Sequence, residues 1–320
     1  MPVQRPIIAV LAGLLLGATL AVAQSYPVKP VRIVTAEPGG GNDLAARLLA
    51  QGLTAAFGQQ VLVEAKGGAS GALAAQAVSK AATDGYTLLL YSSALWIVPL
   101  MKNVSWDPQK DFSPVILAAM APNVLVVHPS LPVSSVKELA TLARKRPGEM
   151  NYAVGAAGSA MHLGAELFKS TMHLDIVRVP FKGTSAGLTA LMAGQVQLMF
   201  PAAGGAMLHV KSARLKALAV TSAKPTELAP GLPTMASAGL PGFEAVSVYG
   251  LFAPAKTPAD IITRLNQESL RVIARADVKE RFFSAGVETL GGTPEEFAAT
   301  MKSDIARWGK VIRDAGIRED

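Results

Sequence analysis

Three glycine-rich segments contain the residues of this sequence that are best suited to bind an anion. They comprise residues 37–43, 155–162 and 181–185. Each segment follows a predicted β-strand and opens a predicted α-helix, and glycine allows backbone amides to approach a ligand closely. The first turn of a helix has N–H groups without intrahelical partners and lies at the positive end of the helix dipole. The pattern therefore indicates a site for a small, negatively charged molecule.

Such loops can hold a carboxylate without an arginine clamp. About four charge-assisted hydrogen bonds, at roughly 1.5–3 kcal/mol each, contribute on the order of 6–12 kcal/mol before the cost of ordering. Micromolar affinity requires about 8 kcal/mol. Each loop taken alone is better explained as an ordinary tight turn between a strand and a helix. Two loops that come from different lobes and face one cleft favour a binding site.

The same segments give little support for catalysis. Ser159 and His162 have helical spacing and could act as a nucleophile and its base, but Ser159 is not in a G-x-S-x-G elbow. We expect Ser159 to cap a helix, and His162 to occupy a polar cleft or a packed position. Asp43 most simply caps the first helix, although a ligand with an amine could also use it.

Cofactor and metal sites are not indicated either. The glycines match neither a phosphate loop nor a dinucleotide fingerprint. The four histidines are scattered along the chain, without the spacing of metal ligands. We therefore predict a protein that is not an enzyme and that uses no cofactor and no metal.

Alternating strand and helix patterns position these loops. Strand patterns at 31–36, 61–64 and 86–91 alternate with helix patterns at 43–57 and 72–82, as in a parallel sheet covered by helices. A second series of the same kind extends over residues 123–221. Prolines and glycines then interrupt the chain, and the remaining patterns from residue 260 onward are helical.

Because helices without strands cannot form a sheet of their own, we expect the last helices to pack on the first lobe. The predicted fold is α/β, with two lobes. Lobe 1 is discontinuous and consists of residues 24–122 plus 248–320, and lobe 2 consists of residues 123–247. The two crossings between the lobes, near Pro122 and Ser247, would behave as a hinge.

Residues 1–23 are predicted to be a secretory signal peptide. Arg5 precedes an apolar run at 7–22, and Ala21-Val22-Ala23 forms a small-x-small cleavage triplet. The run is too short and too diluted by glycine for a transmembrane span. The sequence has no cysteine, which removes disulfides and a lipidated anchor. We expect a mature protein that is free in the periplasm.

The formal net charge of +7 at pH 7 does not indicate nucleic-acid binding. The densest basic run, Arg144-Lys145-Arg146, lies at the end of a predicted helix, where cations complement the dipole. No basic stripe interleaved with aromatic residues is present in the sequence. We predict no nucleic-acid partner, and the mild basicity fits an anionic ligand.

Ordered sequence blocks from Tyr26 to Trp308 resemble the Bug (TctC-like) receptors of tripartite tricarboxylate transporters. The blocks include Tyr26-Pro27-Val28-Lys29-Pro30, Pro38-Gly39-Gly40, Asp84-Gly85-Tyr86-Thr87-Leu88, Val179-Pro180-Phe181-Lys182-Gly183, Gly194-Gln195-Val196, Gly239-Leu240-Pro241-Gly242-Phe243 and Arg307-Trp308. The resemblance covers essentially the whole mature chain.

This resemblance implies a type II periplasmic binding protein, or Venus flytrap, in which two of the loops pinch a carboxylate, partly through ordered waters. Ligands of such receptors are dicarboxylates, tricarboxylates, acidic amino acids and aromatic acids. We also predict a monomer that delivers its ligand to the permease subunits of a tripartite transporter. An alternative is a sensing receptor that signals to a membrane protein.

The candidate ligand-binding residues combine the glycine-rich loops with positions that the resemblance places along the cavity. They are Pro38, Gly39, Gly40, Asn42, Asp43, Ser92, Ser93, Gly155, Gly158, Ser159, Ala160, His162, Lys182, Gly183, Thr184 and Pro201.

Overall fold

The computed structural model describes residues 26–36, 38–67, 71–155, 158–314 and 316–318. The predicted signal peptide, residues 1–23, lies outside the described residues and stays a prediction. Among the described helices, none combines the length and hydrophobicity that a bilayer span requires.

Strands and helices alternate along most of the described chain. In order they are β1 (Val31–Thr35), α1 (Gly41–Phe57), β2 (Val61–Ala65), α2 (Ala72–Ser79), β3 (Thr87–Ser92), α3 (Ala94–Ile97), a 3-10 turn (Val98–Leu100), β4 (Phe112–Pro122), β5 (Val124–Val127), α4 (Val136–Lys145), β6 (Asn151–Val154), α5 (Ala160–Met172), β7 (Val177–Pro180), α6 (Thr184–Met192), β8 (Leu198–Met199), α7 (Ala203–Lys211), β9 (Lys216–Val220), β10 (Val246–Pro254), α8 (Ala259–Ala274), α9 (Ala276–Ser284), β11 (Glu288–Gly291) and α10 (Pro294–Asp314).

The first sheet has six strands in the order β11-β4-β10-β3-β1-β2. Strand β1 is parallel to both β2 and β3, whereas β10 is antiparallel to β3 and β4. Val31, Ile33 and Val34 of β1 are buried, as expected for a strand covered on both faces. Because parallel strands end at the same edge, the segments after β1, β2 and β3 lie together.

The second sheet has five strands in the order β7-β6-β8-β5-β9. Strand β6 is parallel to β7 and β8, and β5 is antiparallel to β8 and β9. The segments after β6, β7 and β8 therefore share one edge of this sheet. The predicted α/β fold with two sheets is confirmed, and the lobe boundaries stay our proposal.

Hydrophobic packing covers both faces of the first sheet. On one face, Leu49 and Leu53 of α1 join a cluster that includes Leu265 of α8 and Phe282 of α9. On the other face, the side chains of α10 join a cluster that continues into the second sheet. The rings of Trp96 and Phe297 meet edge-on there, with centroids 6.1 Å apart.

Two strands of the first sheet correct the expectations from sequence. Strand β11 lies in the region predicted to be helical only, and it pairs antiparallel with β4. Strand β4 itself was not predicted, because Pro114 and Pro122 interrupt its pattern. Pro114 lies opposite Phe252, at a shift in the register with β10. Pairing with two neighbours therefore outweighs the local signal against a strand.

The two passages of the chain between the sheets lie side by side. Thr221 Oγ1 accepts a hydrogen bond from Asn123 N at 3.0 Å and donates to Ala245 O at 2.7 Å. The amide of Ala245 in turn donates to Thr221 O at 3.0 Å. Thr221 is fully buried. One hydroxyl group thus connects both passages.

Candidate functional site

Loop 1, residues 38–43, connects β1 to α1 and leaves the helix start without a side-chain cap. Gly40 is the N-cap residue and has extended backbone angles, so no side chain accepts from the first-turn amides there. Gly39 has a φ of 75°, in the left-handed region that favours glycine. Its amide donates to Asp43 Oδ2 at 2.9 Å, and Arg47 Nε donates to the same oxygen at 3.0 Å.

Asp43 therefore supports loop 1 from inside the helix. The prediction that Asp43 caps α1 is wrong, because the helix begins earlier, at Gly41, and the carboxylate reaches back to Gly39. Burial opposes ionisation, but the hydrogen bonds from Arg47 and from the Gly39 amide outweigh it and lower the pKa of Asp43. The carboxylate thus remains an acceptor in mild acid.

Two oxygens of loop 1 have unused acceptor capacity. Within the described part of the chain, Asn42 Oδ1 and Asp43 Oδ1 are buried and have no hydrogen-bond partner. Buried polar atoms normally have a partner, so these oxygens could accept from a ligand hydroxyl, a ligand amine or a water.

The start of α1 lies directly on the centre of the first sheet. A Cβ atom at Gly41 would be 2.2 Å from Tyr249 Oη, so only glycine permits this approach. Tyr249 lies on β10 opposite Ser92 of β3. Burial raises the pKa of Tyr249, which keeps its hydroxyl neutral, against the smaller effect of a hydrogen bond with Ser247. The fold thus brings loop 1 close to the end of β3.

Loop 2, which connects β6 to α5, is described at residues 155 and 158–162. Ser159 is the N-cap residue of α5, and its Oγ accepts from His162 N at 3.4 Å, which confirms the predicted cap. Gly158 has a φ of 71°. Its amide donates to His162 Nδ1 at 3.0 Å, and Arg178 Nη1 lies 3.2 Å from His162 Nε2. His162 is only 1% exposed, so it occupies a packed position, as predicted.

Loop 3, residues 181–184, connects β7 to α6 and lies beside the start of loop 2. Gly183 is the N-cap residue of α6, with a φ of 88° and no side-chain cap. A Cβ atom at Gly155 would be 3.7 Å from the backbone of Gly183. Lys182 and Thr184 are exposed to solvent.

The remaining candidate residues have mostly structural contacts in this conformation. Ser93 is buried, and its amide donates to Val248 O at 3.0 Å, whereas Ser92 is half-buried. Pro201 is buried, and its carbonyl accepts from Val124 N at 2.9 Å.

Loop 2 also touches a segment that follows strand β3 of the first sheet. A Cβ atom at Gly158 would be 2.2 Å from Met101 Cε, and Met101 follows the 3-10 turn that comes after β3. Loops 2 and 3 are thus neighbours on the second sheet, and loop 2 reaches a segment beyond Ser93 on the first. That loops 1 and 2 converge on one gap stays a prediction.

Sequence reasoning missed Arg178, Tyr249 and Met101, which support the loops. Each lies in a different element from the loop that it contacts, and no local motif marks it. The pairing of β6 with β7, which sets Arg178 beside Tyr152, is the signal that could have identified Arg178.

The chain is similar to known proteins over most of its length. The model of the family described as "Tripartite tricarboxylate transporter family receptor" matches residues 45–317. The structure of a Rhodopseudomonas palustris protein with adipate is 36% identical, with a TM-score of 0.80, over 92% of this chain and 99% of that one. The periplasmic binding protein BugD is 31% identical, with a TM-score of 0.77, over 92% of this chain and 100% of that one.

A third solved structure, MatC from Rhodopseudomonas palustris with bound malate, is 30% identical, with a TM-score of 0.75, over 90% of this chain and 100% of that one. These similarities extend over both sheets. The expected fold, that of a periplasmic binding protein, is confirmed.

Proposed function

The chain belongs to the tripartite tricarboxylate transporter receptor family, and on that premise we propose that it binds a small organic carboxylate between its two lobes. It then delivers this ligand to the membrane subunits of a tripartite transporter. Receptors of this family are periplasmic binding proteins, and we propose the same location for this chain, after export through residues 1–23.

One observation carries the proposal: the starts of α1 and α5 have the same backbone arrangement. In loop 1 and in loop 2, a glycine with positive φ donates its amide to a side chain four residues later. This arrangement occupies the glycine amide, so a ligand would use the amides of the first helical turn, one of which is taken by Ser159 in loop 2. Amides at a helix start, together with the dipole, favour a negatively charged ligand group.

The ligand class follows from the same arrangement. A molecule with a carboxylate at each end can use one helix start from each lobe, and the related structures with adipate and malate contain dicarboxylates. The proposed contact residues are those predicted from sequence, apart from His162. His162 contributes by supporting loop 2, because its ring is buried.

Closure of the two lobes would complete the site. We assign the hinge to the passages joined by Asn123, Thr221 and Ala245. The closed form must bind the ligand more tightly than the open form, because only differential affinity shifts that equilibrium.

The geometry at loop 2 favours binding over hydrolysis. Ser159 Oγ accepts from the backbone of His162, and His162 Nδ1 accepts from the amide of Gly158. A nucleophile–base pair would instead join the serine hydroxyl to the imidazole. We therefore propose that the protein performs no chemistry on its ligand.

A thermal-shift screen with adipate, malate and citrate tests the proposed function. A ligand at about 100 times its dissociation constant stabilises the folded protein by roughly 2.7 kcal/mol, so we expect at least one acid to raise the Tm clearly. Neutral sugars serve as controls and should leave the Tm unchanged. The proposal is wrong if sugars raise the Tm and no acid does.

A further inference from the structure

The support of loop 2 depends on a titratable side chain. Gly158 N donates to His162 Nδ1 at 3.0 Å, across the turn that opens α5. The ring is 1% exposed, so water does not readily replace this acceptor. The position of loop 2 is therefore coupled to the protonation state of the imidazole.

Both ring nitrogens of His162 face donors. The Gly158 amide lies at Nδ1, and Arg178 Nη1 lies 3.2 Å from Nε2. A neutral imidazole has one acceptor nitrogen and can satisfy one of these donors, whereas an imidazolium has none. A guanidinium is always protonated and cannot become an acceptor. Protonation of His162 therefore removes the last acceptor and places a second cation beside Arg178.

Two further charged groups of α5, Glu166 and Lys169, pair with each other. Glu166, one turn further along the helix, accepts from the Tyr152 hydroxyl of β6 and from Lys169 Nζ at 3.0 Å. Burial, followed by the hydrogen bond to Glu166, raises the pKa of Tyr152, which therefore stays neutral.

Helix α10 and strand β10 also pack on α5. On α10, Arg307 pairs with Asp304 at 2.9 Å. The sequence of β10 contains no charged residue, and its Tyr249 is kept neutral by burial.

We propose that His162 is a positioning residue that holds loop 2 for ligand binding only while its imidazole is neutral. The ligand affinity of the receptor then falls as the pH falls, because binding requires the deprotonated ring. This inference rests on the proposed function for its ligand readout. It adds a proton-sensitive element to a site otherwise built from backbone amides.

Isothermal titration of the wild-type protein between pH 8 and pH 5 tests the inference, with whichever of adipate, malate and citrate binds most tightly. This window includes the range in which histidine changes its charge. We expect the wild-type affinity to fall by up to about tenfold per pH unit in the acidic part of the window, beyond the effect of ligand titration.

Two substitutions at His162 distinguish its role as a hydrogen-bond acceptor from the effect of its charge. In His162→Asn, the side-chain oxygen can accept from Gly158 N without titrating, so we expect only the pH dependence of the ligand itself. His162→Leu has no acceptor, so we expect weak binding at every pH.

His173→Asn is the matched control. His173 lies at the C-cap of the same helix with a φ of 51°, which asparagine tolerates. We expect this control to keep the wild-type pH dependence.

A ligand-free measurement distinguishes failure of this inference from failure of the proposed function. The NMR signal of the Gly158 amide should titrate together with the His162 ring in wild type and stay constant in His162→Asn. If no acid binds but this titration is seen, the proposed function fails and the positioning role stands. The inference is overturned if wild type and His162→Asn show the same pH dependence of affinity. It is also overturned if the NMR signal of the Gly158 amide does not change when the His162 ring is protonated.

Discussion

Loop 1 and loop 2 each place a left-handed glycine before a helix and hold its amide with a side chain four residues later. The acceptor is Asp43 Oδ2 at 2.9 Å in loop 1 and His162 Nδ1 at 3.0 Å in loop 2. An arginine stands beside each acceptor, Arg47 at 3.0 Å and Arg178 at 3.2 Å. The same backbone arrangement is thus supported by a carboxylate beside the first sheet and by an imidazole beside the second.

The difference in chemistry separates the two loops. Asp43 and Arg47 attract each other, so the acceptor of loop 1 is stabilised in its charged form. His162 is an acceptor only when it is neutral, and the arginine beside it opposes a second positive charge. Their surroundings also differ, since a Cβ atom at Gly39 would meet nothing within 4 Å, whereas one at Gly158 would collide with Met101. Loop 1 is therefore supported by an ion pair in open surroundings, whereas loop 2 combines the imidazole acceptor with close packing against Met101.

Substitution of Gly39 and Gly158 by alanine should give the largest difference in stability between the two loops. Alanine in the left-handed region costs about 1–2 kcal/mol at either position. Gly158→Ala also places a methyl group 2.2 Å from Met101 Cε, and such overpacking adds about 1 kcal/mol or more. We expect a loss of about 2–3 kcal/mol for Gly158→Ala and about 1 kcal/mol for Gly39→Ala in urea denaturation. Equal losses would contradict the assignment of packing to loop 2.

Removal of the Asp43 carboxylate should have the next largest effect. Asp43→Ala leaves the Gly39 amide and Arg47 without their acceptor, and we expect the free energy of unfolding to fall by about 1–2 kcal/mol at pH 7. Asp43→Asn retains an acceptor and should recover part of the loss.

The effect of Asp43 should also depend on pH in a defined direction. Because folding lowers the pKa of Asp43, its stabilisation is present above the unfolded pKa and is lost as the pH falls through the folded pKa. The difference between wild type and Asp43→Asn should therefore shrink below about pH 4. A difference that persists unchanged to pH 2 would mean that the charge of Asp43 does not support loop 1.

The helix caps should show the smallest effects. Ser159→Ala removes the cap of α5 and should cost about 1 kcal/mol. Gly40→Ser places a cap on α1, where the backbone is already extended, and should stabilise the protein by a few tenths of a kcal/mol. The new hydroxyl would also occupy an amide that we assign to the ligand, so affinity should fall by a few-fold. Tighter ligand binding by Gly40→Ser would contradict that assignment.

Interactions within a few residues were the most predictable part of the molecule. The cap of α5 by Ser159 was predicted, and Ser135 caps α4 in the same way, since its Oγ accepts from Glu138 N at 3.2 Å. Gly58 ends α1 with a φ of 63°, the left-handed conformation in which glycine commonly follows a helix. In each case the donor and the acceptor are joined by a single turn of chain, so residue types and spacing suffice.

The sequence by itself determined two α/β sheets and the glycine-rich loops after their parallel strands, because hydrophobic periodicity and glycine positions are local properties. Only the tertiary structure decided what supports those loops. Arg178 lies beside His162 because β7 pairs with β6, and Tyr249 lies beneath Gly41 because β10 enters the first sheet from far along the chain. Such neighbours depend on which strands pair, and pairing is decided by packing of the whole molecule.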